Sequence, residues 1–168
     1  MTKFYDNAVV CYSYSKSLSL PGERIGYLVI PDSVTDSAEV IQAATIANRV
    51  IGCVNAPSLI QRAIIRCLEA KVNVEAYDKN RNALYNGLTE LGFECVYPQG
   101  AFYMWVKSPV ENDKEFCEEC KKYNLLVVPG SSFAGPGYVR IAYCVSYDMI
   151  MRSMQAFAKV AEHYGLKK

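Results

Sequence analysis

The chain has 168 residues, 51% of them hydrophobic, with 18 basic and 17 acidic side chains and a net charge of +1. That is enough apolar material to bury a core, and the even balance without a basic stripe excludes the electrostatic footprint of a nucleic-acid binder. Seven scattered cysteines read as free thiols of a reducing, cytoplasmic compartment, and a single histidine, His163, removes the usual routes to a His-based triad or a zinc site, so no metal is expected.

In chain order, Met1 to Val10 lacks the basic-then-apolar order of a signal peptide. Asn7 to Ser15, NAVVCYSYS, starts with β-favouring residues and ends in alternating hydroxyls, which predicts a strand running into a loop. Pro21–Gly22 marks a turn, and Arg24 to Ile30, RIGYLVI, reads as a second strand. The period then changes. Val40, Ile41, Ala44, Ala47, Val50 and Ile51 recur at threes and fours, predicting a helix from Ser37 to Cys53 that Asp36 or Ser37 can cap. Pro57 opens a second helix, Ser58 to Lys71, and a third runs from Val74 to Leu91 with Gly92 as its C′ glycine.

From Phe93 onward strands and helices alternate. Strands are expected at 93–97, 101–106, 125–128 and 138–144, with helices at 113–123 and 147–164. Phe116, Cys117 and Cys120 face inward on the first of these helices. The Cys117–Cys120 pair lacks a second ligand pair and reads as two helix-face cysteines. The expected class is α+β / α/β, with a short mixed sheet covered by helices. No uncharged apolar run is long enough to span a bilayer, so no membrane partner is expected. Two strands with one tight connection need neighbours to bury them, so the first forty residues are expected to complete a larger sheet whose other strands lie upstream.

Residues 13 to 26 carry the densest chemistry: Ser13, Ser15, Lys16, Pro21-Gly22, Arg24 and Gly26. A cofactor bearing a phosphate and an aldehyde needs an amine held at a strand's end, hydroxyl donors, and an arginine whose fork matches phosphate oxygens. Glycines nearby let the backbone approach closely.

The stretch Ser13 to Gly26 resembles the lysine-attachment signature of the class I/II, aspartate-aminotransferase-like group of fold type I pyridoxal-phosphate enzymes. The resemblance implies that Lys16 holds pyridoxal 5′-phosphate as a Schiff base and is the catalytic base. It implies that Ser13 and Arg24 bind the cofactor phosphate, with Ser15 as a neighbouring hydroxyl. Val128-Pro129-Gly130-Ser131-Ser132-Phe133 followed by Gly137-Tyr138-Val139-Arg140-Ile141-Ala142 resembles the family's C-terminal segment. There, an arginine on a strand binds the substrate α-carboxylate, and that role falls on Arg140. Gly100-Ala101-Phe102-Tyr103 resembles a strand near the substrate, with Phe102 as a pocket wall.

The resemblance implies that 1–73 is the C-terminal remnant of a large cofactor-binding domain and 74–168 a small C-terminal domain, with 74–91 as the bridging helix. The aspartate that pairs with the pyridine nitrogen belongs to an N-terminal portion that these residues do not include. The chain alone is therefore expected to be inactive. In the full-length protein the implied function is transfer of an amino group from an amino acid to a 2-oxo acid, in a homodimer. Two other readings stay open: a lyase or synthase on the same scaffold, which shares the lysine motif, and a non-catalytic ligand-binding or oligomerisation piece.

Overall fold

In the computed structural model, which describes residues 2–166, contacts sort the chain into two units, Met1–Val72 and Asn73–Lys168.

The first unit is built on a hairpin. Strand β1 (Val10–Ser13) pairs antiparallel with β2 (Gly26–Val29), from Val10↔Val29 to Ser13↔Gly26. Tyr12 and Tyr27 are direct cross-strand partners and stack with ring centroids 5.0 Å apart. The strand does not run into a loop as expected. Its end turns directly into one helical turn, α1 (Tyr14–Ser17), because the Ser13 hydroxyl accepts from Ser15 N–H and caps it.

Helix α2 (Ser37–Val50) stands where the 3.6-residue period placed it. Asp36 precedes it in a left-handed conformation, φ 55°, and makes no side-chain cap bond. Its apolar residues are not buried: α2 contains no buried residue, and Val50 and Ile51 are 79% and 68% exposed. Helix α3 (Ser58–Ile65) is shorter than predicted. After it, Arg66, Cys67 and Ala70 N–H groups bond three residues back, so the chain continues as turns rather than as α-helix.

The second unit opens with α4 (Val74–Glu90), capped by Asn73, whose side chain accepts from Ala76 N–H at 2.9 Å. Gly92, φ 90°, ends it as expected: Phe93 N–H reaches Leu88 C=O and Gly92 N–H reaches Thr89 C=O, a Schellman closure. The sheet follows, from β3 (Cys95–Val96), β4 (Tyr103–Lys107), β5 (Val128–Pro129) and β6 (Tyr138–Ala142), in the order β3-β4-β6-β5. Each pairing is antiparallel, a narrower pattern than the mixed sheet expected. Helices α5 (Asp113–Lys122) and α6 (Tyr147–His163) complete the α+β unit.

Alternation divides the sheet residues. Met104, Val106, Val139 and Ile141 join Leu84, Leu88, Phe116, Phe157 and Val160 from the helices in one buried cluster. Asn80 locks α4 to the chain after β6, donating to the carbonyls of Tyr143 (3.0 Å) and Val145 (2.7 Å). Among the described residues no helix is long and apolar enough to cross a membrane.

All seven cysteines are unpaired thiols. Cys117 and Cys120 belong to the core, and burial pushes their thiols up to about 11 and about 12; burial likewise raises Cys95 to about 12. Thiolate is the reacting form, so these three should be inert while the exposed Cys11, Cys53 and Cys144 react. Maleimide labelling at about pH 8 with peptide mapping should modify that exposed trio in native protein, and Cys95, Cys117 and Cys120 only after denaturation.

Candidate active site

Two groups of side chains carry chemistry, one in each unit.

In the first unit the end of β1, the turn α1 and the start of β2 gather the predicted residues. Ser13 and Ser15 hydroxyls lie 2.9 Å apart, with Ser13 donating to Ser15. Lys16 is on the same turn, exposed. Tyr14 N–H donates to Ile25 C=O at 3.1 Å, so Arg24, one residue before Ile25, enters where the strand pairing gives way to α1. Arg24 has φ 51°, and its Nη1 donates to Pro21 C=O at 2.8 Å, which leaves its other N–H donors uncommitted to that bond. Gly26 faces Ser13 in register, and a Cβ there would run into the Tyr12 carbonyl, so only glycine permits the close approach.

Ser17, beside Lys16, was not singled out from the sequence. Its Oγ is buried and has no hydrogen-bond partner among the described residues. Tyr14 packs edge-on to Tyr12 (5.3 Å) and near Tyr27 (5.8 Å); desolvation, then the neighbouring phenols, raise its hydroxyl above the ordinary tyrosine value.

The donor set suits a phosphate-bearing aldehyde. The set comprises three serine hydroxyls on or capping the turn that carries the primary amine, one of them an orphaned buried oxygen, and the guanidinium of Arg24 just before β2. Pyridoxal phosphate offers anionic oxygens for the hydroxyls and the guanidinium and a carbonyl carbon for the amine.

In the second unit Arg140 is on β6, directly opposite Trp105 of β4 and Val128 of β5. Its guanidinium carbon lies 3.9 Å from the Phe133 ring centre and 4.2 Å from that of Tyr103. It pairs with no carboxylate among the described residues. Phe102, expected as the pocket wall, packs partly buried against the core, and the next residue, Tyr103, is the one that meets Arg140. Alternation carried that signal, since Tyr103, Trp105 and Arg140 share the sheet face opposite the core.

Phe133 reaches Arg140 because the segment Gly130–Phe133 folds as a 3₁₀ turn between β5 and β6, where only a loop was expected. Asp113, 4% exposed at the start of α5, accepts from Ser131 N–H (2.8 Å) and Ser131 Oγ–H (2.9 Å) and pins that turn. The Trp105 ring lies beneath it. A Cβ on Gly130 or Gly135 would come within 2.7 or 2.9 Å of Trp105 Cζ3, so both glycines are needed for the fit.

A sequence model of the family "Aminotransferase class I and II" matches residues 2–157. An aspartate aminotransferase of Thermotoga maritima is 30% identical over 153 residues, covering 89% of this chain and 38% of its own length. An aromatic-amino-acid aminotransferase of Thermococcus litoralis is 30% identical, with 96% and 43% covered. The crystal structure of an amino transferase from Eubacterium rectale superposes with a TM-score of 0.86 at 52% identity, covering 97% of this chain and 41% of that one. The chain thus spans about two fifths of the length of the relatives it matches.

Removing the Asp113 acceptor leaves two Ser131 donors unsatisfied at a partly buried place. Asp113→Ala should destabilise the second unit by about 1–3 kcal/mol, and Asp113→Asn, which keeps one acceptor oxygen, by less; urea unfolding followed by Trp105 fluorescence measures both.

Proposed function

The chain belongs to the class I and II aminotransferases, and on that premise we propose that it carries the cofactor-holding lysine and the carboxylate-binding arginine of a pyridoxal-phosphate-dependent transaminase. The observation that supports this reading is the turn α1, which carries Lys16 between Ser15 and Ser17, is capped by Ser13, and is bonded through Tyr14 N–H to Ile25, the residue after Arg24. The names of the relatives favour transamination over the lyase or synthase reading.

Lys16 would hold pyridoxal 5′-phosphate through its amine. Ser13, Ser15 and Arg24 would bind the phosphate, with charge-assisted bonds from the guanidinium fixing its orientation. The bound cofactor supplies an electron sink for the bond broken at the substrate α-carbon. Arg140 would dock the substrate α-carboxylate by two parallel N–H bonds, so that the α-carbon is presented in one orientation. Lys16 Nζ would also be the general base, accepting the proton from the substrate α-carbon and giving it back. The substrates are then an amino acid with a free carboxylate and a 2-oxo acid.

The domain reading follows the same premise. Residues 1–73 would be the end of the large domain, 74–168 the small domain, and 74–91 the helix joining them. The whole protein would work as a cytoplasmic homodimer, in keeping with seven unpaired thiols.

Titration with pyridoxal phosphate, borohydride reduction and peptide mapping test the reading at its key residue. One equivalent should be trapped on Lys16 and lost in Lys16→Ala, with weaker trapping in Arg24→Ala; label spread evenly over surface lysines would count against it. Turnover is a separate matter. These 168 residues, lacking the implied partner of the pyridine nitrogen, should show no transamination between common amino acids and 2-oxoglutarate. Activity abolished by Lys16→Ala would overturn that expectation.

A further inference from the structure

Arginine side chains carry several rotatable bonds, and holding one still costs entropy that a ligand must otherwise offset on binding. Arg140 has three features that remove this cost beforehand. Its stem rises from the middle strands of the sheet, paired on both sides by β4 and β5. Its guanidinium rests on two rings, Phe133 at 3.9 Å and Tyr103 at 4.2 Å, an arrangement held by cation–π attraction. Its charge meets no carboxylate among the described residues. Aromatic carbons offer the guanidinium N–H groups no strong acceptor, so its hydrogen-bonding capacity is kept for a planar anion.

We propose that Phe133 and Tyr103 are positioning residues, an aromatic clamp that preorganises Arg140 to receive the carboxylate of an amino acid or a 2-oxo acid. The inference rests on the carboxylate role proposed for Arg140. It explains why the second unit fixes the 3₁₀ turn so firmly. The Asp113–Ser131 bonds and the Trp105 ring beneath Gly130 and Gly135 hold in place the turn that carries Phe133, a ring still 45% exposed. Core packing does not need that ring. The clamp does.

The test uses the full 168-residue chain labelled with ¹⁵N. The Nε–Hε signal of Arg140, assigned by its loss in Arg140→Lys, reports side-chain order and, during titration with 2-oxoglutarate, binding. In wild type the signal should be ordered, unlike that of the exposed Arg49, and should shift with 2-oxoglutarate. Phe133→Leu and Tyr103→Leu should lower the order and raise Kd about fivefold each, at unchanged thermal midpoint. Phe133→Trp and Tyr103→Phe, which keep a ring, should restore both. A wild-type Arg140 as mobile as Arg49 overturns the clamp, as do unchanged order and affinity in the two leucine variants. An ordered Arg140 that ignores 2-oxoglutarate overturns instead the carboxylate reading on which the clamp depends.

Discussion

The pairing of β4 with β6 is the constraint on which the second unit depends. Five residue pairs, from Tyr103↔Ala142 to Lys107↔Tyr138, are extended at both ends by Ser108 N–H to Gly137 C=O and Tyr143 N–H to Phe102 C=O, each 2.9 Å. Strand side chains alternate, so this one register decides two things together. It sends Met104, Val106, Val139 and Ile141 into the core and leaves Tyr103, Trp105 and Arg140 on the other face. A slip of one residue would drive a guanidinium into the apolar cluster, which costs several kcal/mol for an unpaired charge, and would expose two core aliphatics. The core therefore enforces the site. No residue of the Arg140 cluster needs to be selected for register by itself.

The first unit is held differently. Among its described hydrophobic residues only Ile25, Val34 and Ile64 are buried. A two-stranded sheet is marginal in water, and the Tyr12–Tyr27 stack adds only about 0.5–1.5 kcal/mol. Bonds distant in sequence supplement it: Ser33 Oγ donates to Asp6 C=O, and Thr35 N–H donates to Asn7 Oδ1. Val50, Ile51, Leu59 and Ile65 remain more than two-thirds exposed, and apolar surface on this scale marks a place for further contacts. The geometry of the lysine turn, by contrast, is set within its own hairpin, by the Ser13 cap and the glycine opposite it on β2. The chemistry of α1 is thus specified locally even where the packing around it is sparse.

Legibility in the sequence followed the range of the interactions. Gly92 as a C′ glycine, the inward Cys117 and Cys120, and the order of strands and helices were readable because periodicity and capping act within a turn or two. Strand ends were overestimated, since residues such as Phe93 and Cys144 have β character but no ladder partner beyond the pairing. The helix at 58–71 stops at Ile65 for no reason visible in its propensities. Of the candidate functional residues, Lys16 and Arg24 in the first unit and Arg140 in the second stood out by type and spacing. Ser17, Asp113, Phe133 and Tyr103 did not, because each matters through a partner distant in sequence or through burial. Asp113 acts on Ser131, and Phe133 on Arg140 across a turn whose conformation no local motif announced.

The two cationic residues are placed where their chemistries differ. An amine that exchanges covalent partners, the role proposed for Lys16, needs a nucleophilic nitrogen on a flexible stem, and Lys16 sits exposed on a short turn. A carboxylate receptor needs the opposite: a permanent charge in a fixed plane. Arg140 comes from a doubly paired strand and lies against two rings. Exchanging the two residue types would fail at both positions for distinct reasons. Arginine on α1 could bind an anion but has no amine to give, and lysine on β6 would keep the charge but lose the planar fork that the rings orient. The fold therefore places its lysine on a loosely packed turn and its arginine on a rigid sheet, the division that the proposed reaction, with one moving group and one fixed group, would require.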